Sequence, residues 1–226
     1  MKSTEKIYKA IEMANDDAVK KILREFIMDN MPAPPKSKLQ MKEFLSEDKV
    51  LRPQLCCICM DNEEKTAVAT NAHILFASKE YYVDKGREGE SKTLVDEYGD
   101  VVKEELRYPN WKAVVPREDQ TEPIVLRSDL EELIKLAQVE AKELGLKKID
   151  YKTNIRVADN ICIRLDFLKL MLKAGLDGWR KPKNERVGGI VKQWEGNTMV
   201  VMPVCPPEVG DEDYDNLINK GYWFNR

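Results

Sequence analysis

Residues 66–78 narrow the choice of fold more than any other stretch. Thr66, Ala67, Val68 and Ala69 make a short β-branched and small-residue run, Asn71 follows, and Ile74, Leu75, Phe76 and Ala77 form a second apolar run. An asparagine amide bonds its own backbone and tolerates left-handed dihedrals, so this order predicts a strand, a tight polar corner and a second strand. The corner carries His73, the only histidine of the chain. Just upstream, residues 55–60 are a continuous apolar run of strand length, and Asp61-Asn62-Glu63-Glu64 is a polar turn, which predicts a hairpin ending at the corner.

Around these strands the chain alternates helix and strand signals. Ile7, Ile11, Ala14, Ala18, Ile22 and Phe26 recur at spacings of three and four, an amphipathic helical segment over 1–31. Met31-Pro32-Ala33-Pro34-Pro35 cannot continue a helix and marks a boundary. Ser37 and Gln40 have capping-box spacing and predict a short helix to about Leu45, with Met41, Phe44 and Leu45 inward. Tyr81-Tyr82-Val83 continues the strand pattern, and the runs 93–95 and 101–102 flank a turn at Tyr98-Gly99-Asp100. Residues 107–116 read as an extended segment pinned by Pro109 and Pro116. Ser128 and Glu131 form a second capping box, opening a helix with Leu130, Leu133, Ile134, Ala137, Ala141 and Leu144 on one stripe and Gly145 at its end. A strand over 155–163 precedes a helix with Leu165, Leu168, Leu172 and Leu176 on one side, closed by Gly175 or Gly178. Strands over 189–194 and 199–204 flank a turn at Glu195-Gly196-Asn197, and an acidic tail runs over 206–226. The expectation is an α+β fold of helices packed on antiparallel sheets, with a main domain over 36–205 and an N-terminal helical extension.

Charge and cysteine usage exclude several classes. Lys and Arg total 37 against 40 Asp and Glu, so a basic coat for nucleic acid is ruled out, though a local basic lining is not. That lining is strongest between Arg164 and Arg186, where seven basic residues face three acidic ones. Such a helix end and loop suit a phosphate backbone, and equally a solvated face. There is no run of about 18 apolar residues, and the N-terminus leads into a charged amphipathic segment, so no membrane partner and a cytoplasmic protein are expected. Five cysteines, three of them crowded at 56, 57 and 59, do not form a secreted disulfide layout.

Three cysteines and a histidine name zinc on paper, but Cys56 and Cys57 are adjacent and point to opposite faces of a strand. No thiol-hydrolase signature surrounds any cysteine, and no P-loop or dinucleotide glycine pattern occurs. No metal, cofactor or catalytic residue is therefore expected, and the chain reads as non-enzymatic.

Three segments carry a family resemblance. Val68-Ala69-Thr70-Asn71-Ala72-His73-Ile74-Leu75 resembles the Val-Ala-Thr-Asp-Gly-His-Arg-Leu corner of the bacterial sliding clamp, the DNA polymerase III beta subunit. Residues 107–116 (Arg-Tyr-Pro-Asn-Trp-Lys-Ala-Val-Val-Pro) resemble its Phe-Pro-Asp-Tyr-Arg-Arg-Val-Leu-Pro segment, and Val200-Val201-Met202-Pro203-Val204 its closing Val-Val-Met-Pro-Met run. They stand in clamp order over about 37–204. The resemblance implies a DNA-clamp-like fold acting in replication or repair. It implies a pocket for peptides of DNA polymerase or other partners at Thr70, His73, Leu75, Val200, Met202 and Pro203. Double-stranded DNA would be met without sequence preference by the basic stretch, at Lys169, Lys173, Arg180, Lys181 and Lys183. The chain is far shorter than a three-domain clamp, so a ring needs several copies, a homo-oligomer; the alternative is a clamp-derived peptide-binding module that does not bind DNA. Asn71, Ala72 and Ile74 depart from the family's aspartate, glycine and arginine.

Overall fold

The apolar runs become neighbouring strands buried on both faces. β1 (Ile58–Asp61), β2 (Thr66–Thr70) and β3 (Ile74–Ser78) are buried at every position in the computed structural model. It describes residues 39–85, 90–102, 106–158, 161–183, 188–205 and 220–225, all within the unit Leu39–Arg226. The helical segment expected over 1–31, its proline connector and most of the tail lie outside the described residues. β4 (Lys92–Val95) pairs with β1, and Val101 bridges back to Val95 as the hairpin signal predicts.

Each face of these strands has its own cover, which is why the runs are apolar without alternation. Ile58, Met60, Ala69, Ile74 and Phe76 belong to the core shared with the helices, where Phe44 stacks on Phe76 with ring centroids 5.0 Å apart. Cys59, Val68, Leu75 and Ala77 face the other way, beneath Tyr108. The Tyr108 hydroxyl donates to the Val68 carbonyl at 3.2 Å, and Trp111 Nε1 donates to Asp61 Oδ2 at 2.9 Å. The segment expected to be extended over 107–116 thus lies across the sheet, and a 3-10 turn (Trp111–Val114) interrupts it.

Local chemistry shifts several boundaries. Residues 55–60 divide into a 3-10 turn (Pro53–Cys56) and β1, because Pro53 favours the first position of a turn. The short helix is a 3-10 turn (Met41–Phe44) capped at Gln40, whose N–H donates to Glu43 Oε2 at 2.9 Å; Met41 and Phe44 are buried as expected. Tyr81 and Tyr82 do not continue a strand. Their hydroxyls reach the Leu39 carbonyl (2.6 Å) and Asn62 Oδ1 (3.1 Å), which turns the chain after β3.

α1 (Leu130–Glu143) buries the predicted stripe from Leu130 to Ala141 and starts at Asp129 rather than Ser128, with the Asp129 carboxylate held by Arg127. It ends in a Schellman motif: Leu146 N–H donates to the Ala141 carbonyl, Gly145 N–H to that of Lys142, and Gly145 has φ +66°. Leu144, expected on the buried stripe, is the C-cap and is exposed. A single turn, α2 (Ile149–Lys152), follows.

The strand expected over 155–163 is two strands, β6 (Thr153–Ala158) and β7 (Ile161–Arg164), paired antiparallel. The aromatic tip of the tail, β11 (Tyr222–Phe224), pairs with β6 on its other side, so these residues are packed into the domain rather than trailing from it. α3 (Leu165–Ala174) closes at Gly175, φ +88°, where the Lys192 ammonium donates to the last two carbonyls at 2.7 and 2.9 Å. β9 (Ile190–Trp194) and β10 (Asn197–Val201) are joined by Glu195 and Gly196, both at positive φ, the two-residue turn that matches strand twist. With β5 (Thr121–Pro123) and β8 (Arg180–Pro182), the larger sheet among the described residues has the order β4-β1-β2-β3-β10-β9-β8-β5. β3 and β10 join its two halves.

Phe44→Ala removes a fully buried ring from under β3. It is expected to cost about 3–5 kcal/mol in chemical denaturation; a loss below about 1 kcal/mol would contradict the packing of the turn beneath the sheet.

Candidate functional site

The corner between β2 and β3 is closed by side chains from its own sequence. Asn71 Oδ1 accepts the N–H groups of His73 (3.0 Å) and Ile74 (3.1 Å). Thr70 Oγ1 donates to the Ile74 carbonyl (2.8 Å) and accepts Ala72 N–H (3.1 Å). Ala72 sits at φ +76°, the position where the sliding-clamp pattern has glycine. An L-residue there carries roughly 1–2 kcal/mol of strain, which the four side-chain hydrogen bonds hold in place.

β10 brings the distant segment to this corner. Leu75 lies opposite Val200 and Ile74 opposite Val201, and Met202 N–H donates to the His73 carbonyl at 2.8 Å. Val204 N–H donates to the Cys162 carbonyl at 2.9 Å, tying the strand's exit to β7. Thr70, His73, Leu75, Val200, Met202 and Pro203 therefore converge at one end of the β3–β10 pair. They do not share one exposure. Leu75 and Val200 are buried beneath Tyr108, and Thr70 is spent on the corner. His73 is exposed, and Met202 and Pro203 are half-buried, so these three offer the accessible apolar rim. Gly189 is buried behind them, where a Cβ would meet Val200 Cγ1 at 2.4 Å and Met202 Sδ at 3.2 Å.

The His73 ring leans toward the helices and stacks on Phe167, centroids 6.4 Å apart. Arg164 lies 4.0 Å over the Phe167 ring and 5.0 Å over Tyr151, and its guanidinium grips Asp166 with two bonds of 2.6 and 2.7 Å. Beside this stack opens a groove of about 1000 Å³ lined by Leu45, Arg52, Asn71, Tyr98, Tyr151 and Phe167, among others. Sequence reasoning missed it, because its walls come from five separated segments and no local pattern marks them.

The basic residues expected to face DNA are divided and engaged. Lys169 and Lys173, four apart on α3, pair with Asp150 (2.5 Å) and Glu43. In β8, Arg180 donates to Thr121 Oγ1 (2.8 Å) and to its carbonyl (3.1 Å), Lys181 pairs with Glu122 (3.2 Å), and Lys183 donates to the Asp119 carbonyl (2.7 Å). Burial pushes the Cys59 and Cys162 thiols up to about 12, so both stay protonated near neutral pH. No group of metal-ligating side chains occurs among the described residues, nor any helix long and apolar enough to cross a membrane.

The fold has known counterparts. No family model and no curated protein matches the chain. Among solved structures, the DNA polymerase III beta subunit of Thermotoga maritima is similar at 14% identity and a TM-score of 0.50, covering 74% of this chain and 63% of that one. The Helicobacter pylori beta clamp bound to a DNA ligase peptide matches at 12% identity and 0.49, over 74% and 62%. The Bacillus subtilis sliding clamp matches at 16% and 0.46, over 79% and 68%. The T. maritima likeness shows that this α+β chain has a divergent DNA-clamp-like fold, and the chain spans less than two thirds of that structure's length.

His73 is the sole histidine, so its titration is directly readable. Partial desolvation of the ring lowers its pKa below 6.5, and the Arg164 and Arg52 charges lower it further, outweighing Asp166. The unfolded chain then binds the proton more readily, so this group's contribution to stability is lost as pH falls from about 6.5 and is constant above it. Proton NMR should place its midpoint below 6.5; a midpoint above 6.5 would contradict the packing beside Arg164.

Proposed function

We propose that this chain is a non-enzymatic, clamp-like tethering protein of the cytoplasm, acting in DNA replication or repair. It captures an extended peptide of a DNA polymerase or another partner at the end of the β3–β10 pair. One observation carries the reading: the corner and the Met202-Pro203 strand, far apart in sequence, meet through the His73–Met202 hydrogen bond and leave an apolar rim. A peptide laid there finds backbone groups of the corner to orient it and Met202, Pro203 and the His73 ring to take its apolar anchors. Leu75 and Val200 form the floor beneath that rim and join the contact only if the Tyr108 cover shifts.

The second half of the proposal is contact with double-stranded DNA by phosphate groups, in a homo-oligomer of several copies. Exposed ion pairs such as Lys169–Asp150 are worth only about 0–1 kcal/mol, so exchanging an internal carboxylate for a phosphate costs little. The same internal pairing favours a second reading, a peptide-binding module that leaves DNA alone. Gel filtration with duplex titrations at two salt concentrations separates them: a monomer without salt-sensitive binding leaves only the module.

For the peptide site, fluorescence anisotropy of a labelled extended peptide with apolar anchors is the direct assay. Met202→Asp places a charge on the rim and is expected to weaken binding at least about tenfold, or 1.4 kcal/mol. Lys79→Glu, at the far end of β3, should leave it unchanged. Equal affinity in wild type and Met202→Asp overturns the site.

A further inference from the structure

We infer that Tyr108 is the latch of a cover over the peptide site: its hydroxyl holds residues 106–116 down on Leu75 and Val200, and the site gains this apolar floor only when the bond to Val68 opens. This rests on the peptide-capturing half of the proposed function and adds the element that regulates it.

The cover and the sheet beneath it are held by different means. β1, β2, β3 and β10 are joined along their lengths by backbone ladders. The backbone of 106–116 bonds only within itself, Ala113 N–H to the Asn110 carbonyl and Val115 N–H to that of Lys112, and no ladder includes it among the described residues. Side chains alone tie it to the sheet. Tyr108 Oη donates to the Val68 carbonyl of β2 at 3.2 Å, Trp111 Nε1 donates to Asp61 Oδ2 at the end of β1 at 2.9 Å, and the Lys112 ammonium pairs with Glu64. An element attached in this way opens at lower cost than strands bound by their own ladders.

Of the three ties, only Tyr108 lies over the site. Asp61 and Glu64 belong to the turn between β1 and β2, the end of β2 remote from the corner, whereas Tyr108 shares one buried cluster with Val68, Leu75, Val200 and Cys59. Burial pushes its phenol well above the ordinary value of 10, so the hydroxyl remains a donor near neutral pH. An apolar anchor reaches Leu75 and Val200 only in the fraction of molecules whose cover is lifted. The apparent affinity of the peptide is reduced by that fraction.

The test uses the full chain and Tyr108→Phe, which keeps the ring and removes the hydroxyl, so that the closed form loses one hydrogen bond. In the anisotropy assay with the labelled extended peptide, the variant should bind about fivefold tighter while its resistance to chemical denaturation falls. A ring that merely fills the core would lower stability without raising affinity. Alkylation of Cys59 by N-ethylmaleimide, located by mass spectrometry, reads the cover without any peptide, since this thiol is fully buried beneath it. Its protection should correspond to a free energy well below that of global unfolding, and Tyr108→Phe should speed the reaction about fivefold. Protection equal to global unfolding means that the cover does not open by itself, and overturns the inference. If wild type binds the peptide and the variant binds no tighter, the inference alone is wrong. If neither binds it, the inference falls together with the peptide reading.

Discussion

The pairing of β3 with β10 is the interaction on which the rest of the molecule depends. It joins β4-β1-β2-β3 to β10-β9-β8-β5, and without it each half would present an unpaired inner strand edge of five residues. The register also sorts side chains between the two cores. Ile74, Phe76, Met199 and Val201 go to the helices, and Leu75, Ala77 and Val200 go beneath Tyr108. A slip of one residue would exchange the two sets and take His73 away from Met202.

That register is what brings the exit of β10 against a strained corner. Ala72 keeps a left-handed dihedral, Asn71 and Thr70 spend their side chains closing the turn, and the His73 carbonyl is left to receive Met202. The His73 ring stacks on Phe167, under the influence of Arg164. The corner therefore has two sides, an apolar rim toward Pro203 and an aromatic, charged groove toward α3. Only the first belongs to the family pattern that the sequence carries.

Much of this was legible from residues 39 onward, for physical reasons that differ by element. β2, β3 and α1 announced themselves because burial on two faces, or on one helical stripe, demands a sequence pattern that little else produces. The convergence of the corner with Met202 and Pro203 came from family resemblance, since no local pattern encodes a contact between strands so far apart. The 155–163 region misled because, Arg156 apart, its strand residues are apolar on both sides of Asp159-Asn160, the one turn signal in the run. The tail tip misled because three aromatic residues after an acidic stretch carry no period. The engagement of Lys169, Lys173 and Lys181 was invisible, because Asp150, Glu43 and Glu122 come from other segments and only the fold sets them within reach.

The central claim is that one sheet, closed by β3 and β10, builds the site from both ends of the domain. Native-state amide hydrogen exchange followed residue by residue tests it most directly. Amides of Ile74–Ser78 and Asn197–Val201, and that of Met202, should be among the slowest in the molecule and should open together, near the free energy of global unfolding. If Met202 and β10 exchange quickly while β2 and β3 stay protected, the two halves are not one sheet and the corner has no second wall.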